Sequence, residues 1–255
     1  AELDYDFLRV MWENNWSPLP WWWQIDSPDT FPCPVGSGPV ALAMVYAYWQ
    51  KHKGRTGLFN SSLTDKWNPN GCEKQDVIDA LHELYYITDT DTFFLFNTCY
   101  GITESEDMLD GTKYGARYGY DTSMTRFQGP EAWKFPHIRE SIREDRPAII
   151  LISWTPRILW GTHYAAIVGT AQQYRRGRNS LWYLLNTGLD AGDKKLEWVG
   201  VRRAGKNYHA AWSIYTLDIP GCPGDYKECS GVSTDTEFDD ANPVQCNKWW
   251  ALSEK

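Results

Sequence analysis

The chain has 255 residues, 42% of them hydrophobic and 23% charged, a length that suits one large domain or two small ones. Its 25 Lys and Arg against 33 Asp and Glu leave a net charge of −8, which repels phosphate backbones and argues against nucleic-acid binding. The longest nearly apolar run, Pro39–Trp49, is 11 residues, short of the ~18–20 that span a bilayer, so no membrane span is expected.

Residues 1–36 mix aromatics with turn formers (Pro18, Pro20, Trp21, Trp22, Trp23, Pro28, Pro32, Pro34) and read as irregular structure packed onto a body. From Pro39 to Gln50 the pattern predicts a helix with proline in its first turn, where the missing N–H does no harm. Val40, Leu42, Met44, Val45, Tyr46, Tyr48 and Trp49 cover nearly every side of it, which indicates central burial. Lys51, His52, Lys53 and Gly54 then supply cations and a glycine at its C-terminus. A second helix is predicted from about Glu73 to Tyr86, with Val77, Ile78, Leu81, Leu84 and Tyr85 at helical spacing; His82, among them, reads as structural. Residues 99–130, rich in Gly, Asp, Thr and Tyr, read as a long loop. A third helix is predicted from Glu131 to Asp145, with Pro136 interrupting its start.

After Pro147 the period shortens. Ala148–Trp154, His163–Thr170, Leu181–Asn186, Leu196–Arg203 and Ala210–Asp218 are β-branched or aromatic runs separated by turn residues, and read as strands. Helices followed by closely spaced strands indicate an α+β fold, not the alternation of a parallel doubly wound sheet. The chain is therefore expected to form one unit: an irregular segment 1–36, a mainly helical lobe 37–146, a β lobe 147–220 and a cysteine-containing extension 221–255.

The six cysteines are Cys33, Cys72, Cys99, Cys222, Cys229 and Cys246. With no CxxC pair and only five His, a structural zinc site has little support, and His52, His137 and His209 lack metal-ligand spacing. An even number of scattered cysteines suits three disulfides and an oxidising compartment. Buried free thiols are the alternative, since a chain this long needs no staples. The sequons Asn15-Trp16-Ser17 and Asn60-Ser61-Ser62 fit secretion, although Pro18 weakens the first. The chain opens at Ala1 without a charged or apolar signal region, as either a mature secreted form or a trimmed chain would. No P-loop or dinucleotide fingerprint is present, and neither a metal nor a cofactor is expected. The 15 Trp and 15 Tyr would suit a carbohydrate groove but are more simply core and cleft walls.

The sharpest local feature is Gly36-Ser37-Gly38-Pro39, a glycine-flanked small residue at a helix entrance. The glycines permit unusual backbone angles and close approach of a substrate chain, and the helix N-terminus favours an anion at position 37. A thiolate there would have a depressed pKa; a serine hydroxyl gains far less and needs strong general-base help. The same segment could equally be the N-cap of a buried helix. Gly161-Thr162-His163-Tyr164 places a histidine at the mouth of an apolar strand, and Leu185-Asn186-Thr187-Gly188 ends the next strand with an asparagine. On neighbouring strands, His163 and Asn186 can project toward one end of the sheet, where Asn186 can hold one imidazole nitrogen while the other faces a nucleophile.

The order Gly-[small]-Gly-Pro, then Arg146-Pro147-Ala148-Ile149-Ile150, then Gly-x-His-Tyr, then Leu-Asn-x-Gly resembles the papain-like cysteine peptidases. The resemblance is nearest to the branch with a Gly-Cys-Gly-Pro nucleophile motif typified by double-glycine leader peptidases, and covers roughly residues 30–218. His163 and Asn186 lie 126 and 149 positions beyond residue 37, close to the about 130–150 of papain-like enzymes. The resemblance implies a papain-like α+β fold with a cleft between two lobes. It makes residue 37 the nucleophile, His163 the general base and acid, Asn186 its orienting partner and the residue 37 N–H one oxyanion donor. Gly36, Gly38 and Trp160 would line the substrate site. The family's oxyanion Gln about six residues upstream falls here on Phe31, so the pattern fails there; Gln24 could serve only if the intervening Pro-rich loop is an insertion. The Trp that often follows the orienting Asn is also absent. The implied activity is peptide-bond cleavage by a secreted monomer acting on peptide or protein substrates.

Ser37 is the main departure, and three explanations stay open: an introduced Cys→Ser exchange that disarms the enzyme, a natural pseudoprotease that binds without cleaving, or a true serine nucleophile. A Cys-His transglutaminase or deamidase is a further alternative for the chemistry. Cysteine parity bears on the choice, since a cysteine at 37 would make seven, three bridges and one reactive thiol, whereas the six present can all pair.

Overall fold

The computed structural model describes residues 7–11, 18–29, 33–60, 62–63, 66–95, 98–153, 162–175, 178–189, 196–202 and 210–220. The expectations for Trp160, for the extension 221–255 and for Cys222, Cys229 and Cys246 lie outside the described residues.

Helix α1 (Ser37–Lys53) is buried along Gly38–Trp49 on all sides, as the continuous apolar run predicts. Its two interior tyrosines reach acceptors, the Tyr46 hydroxyl donating to the Gly111 carbonyl (2.7 Å) and that of Tyr48 to the Asp145 carbonyl (2.6 Å). Gly54, at φ 66°, ends it with its N–H on the Trp49 carbonyl. A 3₁₀ turn (Pro69–Glu73) leads into helix α2 (Gln75–Ile87), which buries Val77, Ala80, Leu81, Leu84, Tyr85 and Ile87. Helix α4 (Glu131–Arg143) follows a short helix α3 (Thr112–Arg117) and carries Pro136 within it.

The main sheet is antiparallel throughout, in the order β4 (Ser123–Phe127), β9 (Ala210–Asp218), β5 (Ala148–Ser153), β6 (Thr162–Arg175), β7 (Arg178–Asn186), β8 (Glu197–Arg202), with β1 (Phe7–Val10) also pairing with β6. A separate hairpin joins β2 (Asp91–Leu95) to β3 (Thr98–Ile102). Helices and a mostly antiparallel sheet make this an α+β fold, as expected. Among the described residues, no helix is long and apolar enough to cross a membrane.

Two expectations are corrected. Residues 99–130 are not a long loop: they hold β3, a 3₁₀ turn (Asp107–Gly111), α3 and β4. These elements are short, and every position of β3 and β4 is half-buried or exposed, so they leave no apolar stripe to read. The segment 1–36 is not wholly irregular, since β1 pairs with the far half of β6. Among the described cysteines, Cys33 is bridged to Cys99, and Cys72 is buried, with its pKa raised chiefly by that burial.

Candidate active site

The site is built where one strand outruns its neighbour. β6 pairs with β7 only as far as Ala166 opposite Asn186, while β6 continues back to Thr162 against β5. Beyond Ala166, the ladder groups of β6 on the β7 side are open to other partners. The backbone N–H of Tyr164 is taken by the Ser37 hydroxyl, which accepts it at 3.0 Å. Ser37 opens α1 behind Gly36, whose φ of 86° belongs to the left-handed region that favours glycine. The N-cap of this buried helix is Gly36, and no side-chain capping bond is made there. The half-buried hydroxyl sits across the chain on β6, one residue from His163.

Both flanking glycines are required by packing. A Cβ on Gly36 would lie 2.9 Å from the Gly101 carbonyl oxygen, and one on Gly38 would lie 2.6 Å from Thr103 Oγ1. The end of β3 and the residue after it therefore press directly on the Ser37 turn, and Cys33–Cys99 pins the same two segments together.

His163 is buried, and its Nε2 meets the Thr187 carbonyl at 2.5 Å. A carbonyl only accepts, so Nε2 carries the proton and Nδ1 keeps a lone pair in the neutral ring. Burial lowers the imidazole pKa from 6.5 to about 4, against a smaller opposing pull from the Thr187 bond. The ring is thus neutral at pH 7.

Asn186 is brought to the same end of the sheet, with its amide engaged elsewhere: Nδ2 donates to the Pro20 carbonyl at 3.0 Å. Gln24 lies half-buried on that same N-terminal segment. Thirteen residues separate it from Ser37 in sequence, yet the structure shortens the path. The Val35 N–H donates to the Ile25 carbonyl (2.8 Å), the Ser27 N–H donates to the Cys33 carbonyl (2.5 Å), and Asp26 bridges Pro34. The Pro-rich stretch is an excursion closed at its base, and it returns Gln24 to the level of Gly36. His82 is structural, its Nε2 on the Asp26 carbonyl at 3.0 Å. The groups that sequence reasoning missed are the Thr187 carbonyl and the Tyr164 N–H. Main-chain atoms carry no residue signature, and the one available signal was Gly188 just after the strand end. Among the described residues, no group of three or more His, Cys, Asp or Glu is placed to hold a metal ion.

The structure is similar to that of the active wild-type interpain A cysteine protease of Prevotella intermedia, with a TM-score of 0.50 at 12% identity over 83% of this chain and 95% of that one. The fold is papain-like. No protein-family model and no curated protein matches the sequence. At 12% identity the papain-like likeness is one of backbone arrangement, and the reading of this site rests on its own residues.

Proposed function

We propose that this chain is a cysteine-peptidase scaffold of the papain-like kind, with residue 37 at the nucleophile position and Ser37 leaving it disarmed. The observation that carries the reading is the placement of the Ser37 hydroxyl, which accepts the Tyr164 N–H of β6, the residue that follows His163. With cysteine at 37, the helix N-terminus stabilises a thiolate, and that thiolate in turn favours the imidazolium of His163. The thiolate attacks a peptide carbonyl carbon, and the oxyanion is met by the residue 37 N–H and by Gln24. The imidazolium gives its proton to the departing amine; water, deprotonated by the same ring, then releases the acyl-enzyme. With Ser37 the sequence stops at its first step. A ring with a pKa of about 4 is a poor base for a hydroxyl whose own pKa is far above neutrality, so the protein binds peptides without turning them over. The Cys33–Cys99 bridge supports the further reading that the protein works in an oxidising, extracellular setting.

The test is Ser37→Cys. The variant should gain one iodoacetamide-reactive thiol relative to the parent, together with peptide hydrolysis that His163→Ala abolishes. A reactive thiol with no cleavage across a broad peptide library defeats the peptidase reading. Ammonia release or amine incorporation instead would assign the site to deamidation or transglutamination.

A further inference from the structure

We infer that the imidazole of His163 is oriented by a main-chain group, the Thr187 carbonyl aimed by Gly188, and that Asn186 acts instead as a latch holding the Pro20–Gln24 segment beside the site. The catalytic meaning of this arrangement rests on the function proposed above; the geometry does not.

Sheet parity supplies the first argument. Asn186 pairs with Ala166, and directly opposed residues share a face of the sheet. His163 is three positions from Ala166 on a stretch of β6 whose pairing with β5 is regular, so its side chain leaves the opposite face. The Asn186 side chain and the imidazole therefore diverge from the sheet. A backbone carbonyl lies near the plane of the sheet and is not subject to that parity, which is how the adjoining Thr187 reaches Nε2.

The second argument is how the carbonyl is aimed. Gly188 has φ 59°, a conformation L side chains rarely adopt, and it sets the plane of the Thr187–Gly188 peptide. A Cβ there would stand 3.1 Å from Val40 Cγ1 of α1 and 3.2 Å from the Trp22 carbonyl. The turn is clamped between the nucleophile helix and the N-terminal segment, so the carbonyl is fixed relative to residue 37. Because a carbonyl accepts and never donates, it enforces the Nε2–H tautomer and leaves Nδ1 as the base.

Third, the Asn186 amide has a partner of its own. Asn186 is buried and donates to the Pro20 carbonyl, four residues before Gln24. Bonds from the Trp21 N–H to the Trp67 carbonyl and from Trp22 Nε1 to the Lys66 carbonyl hold the other side of this segment. Asn186 is thus a positioning residue for the oxyanion side of the site and not for the base.

The test is NMR on the histidine- and asparagine-resolved protein with Ser37 in place. Long-range proton–nitrogen correlations should show His163 as the Nε2–H tautomer, neutral down to about pH 4, with a coupling across the hydrogen bond to the Thr187 carbonyl carbon. In Asn186→Ala the tautomer and titration of His163 should be unchanged. Amide exchange over residues 21–25 should speed up about 5–10-fold, as the loss of one buried hydrogen bond predicts. Gly188→Ala should do the reverse, displacing the Nε2 proton resonance and lowering the titration midpoint, because the Thr187 bond is what pulls the imidazole pKa up against burial. An Nδ1–H tautomer in the parent, or a titration shifted by Asn186→Ala, overturns the inference. The parent spectrum decides the tautomer even if neither variant folds. None of these readouts measures turnover, so an inert Ser37→Cys protein would remove the peptidase reading while leaving this one to stand or fall separately.

Discussion

Neutral His163 makes stability depend on pH in a definite direction. Its folded pKa, about 4, lies below the ordinary 6.5, so as pH falls the unfolded chain takes up the proton first. The contribution is fully present above pH 6.5 and is lost as pH falls from 6.5 toward 4, in total about 3 kcal/mol for a shift of this size. Urea unfolding of the parent and of His163→Gln at pH 7, 5.5 and 4 measures it. The parent should lose stability over that window by about 3 kcal/mol more than the variant, and parallel curves would mean a solvated ring. At this scale the sequence was informative where chemistry resides in side chains. Ser37 and His163 stand out because a glycine-flanked small residue and a strand-mouth histidine are unusual. The partners of those residues, the Tyr164 N–H and the Thr187 carbonyl, are backbone atoms that any residue would supply.

Among the elements, α1 and the β2–β3 hairpin mark the two extremes of legibility. From Gly38 to Trp49 every turn of α1 is apolar, and a stretch of helix with no polar face has only the interior to occupy. The hairpin exposes Phe94 and Tyr100 and buries little, so its large apolar residues do not mark a buried face in the sequence. Its role comes from proximity, which composition does not encode. A Cβ on Gly101 would stand 2.4 Å from the Pro34 carbonyl oxygen and 2.6 Å from the Gly36 nitrogen, both backbone atoms with little freedom to move. Gly101→Ala must therefore lift β3 from the Ser37 turn, at the cost of about 1–3 kcal/mol that such overpacking brings. Denaturant unfolding checks the magnitude. The same change made in the Ser37→Cys background should slow thiol alkylation, because the turn that presents residue 37 loses its support. Unchanged stability would show that the hairpin yields without effort.

For the whole molecule, the question is what fixes α4 to the sheet, since a displaced sheet would carry β6 and its histidine with it. Glu131 and Lys134 sit three apart on α4, a spacing that in sequence reads as a solvent-facing ion pair worth a few tenths of a kcal/mol. The structure buries both, at 8% and 1% side-chain exposure, with Nζ 2.7 Å from Glu131 Oε1 and 2.5 Å from the Ala211 carbonyl of β9. The Tyr183 hydroxyl of β7 donates to the other Glu131 oxygen at 3.3 Å, and its ring packs on Phe135. One ion pair thus ties a helix to two strands of the sheet that are not adjacent to each other. Burial pushes the Glu131 carboxyl up in pKa, and Lys134 pulls it back. Removing the ammonium alone in Lys134→Met strands that carboxyl in the interior and should cost about 3–5 kcal/mol. Removing both charges, in Glu131→Leu with Lys134→Met, should cost clearly less than the two single changes added together. The Ala211 carbonyl and the Tyr183 hydroxyl still lose their partners, so full recovery is not expected. Urea denaturation of the four proteins gives the coupling energy directly. A value below about 0.5 kcal/mol would mean that water reaches the pair and that apolar packing alone holds α4 in place.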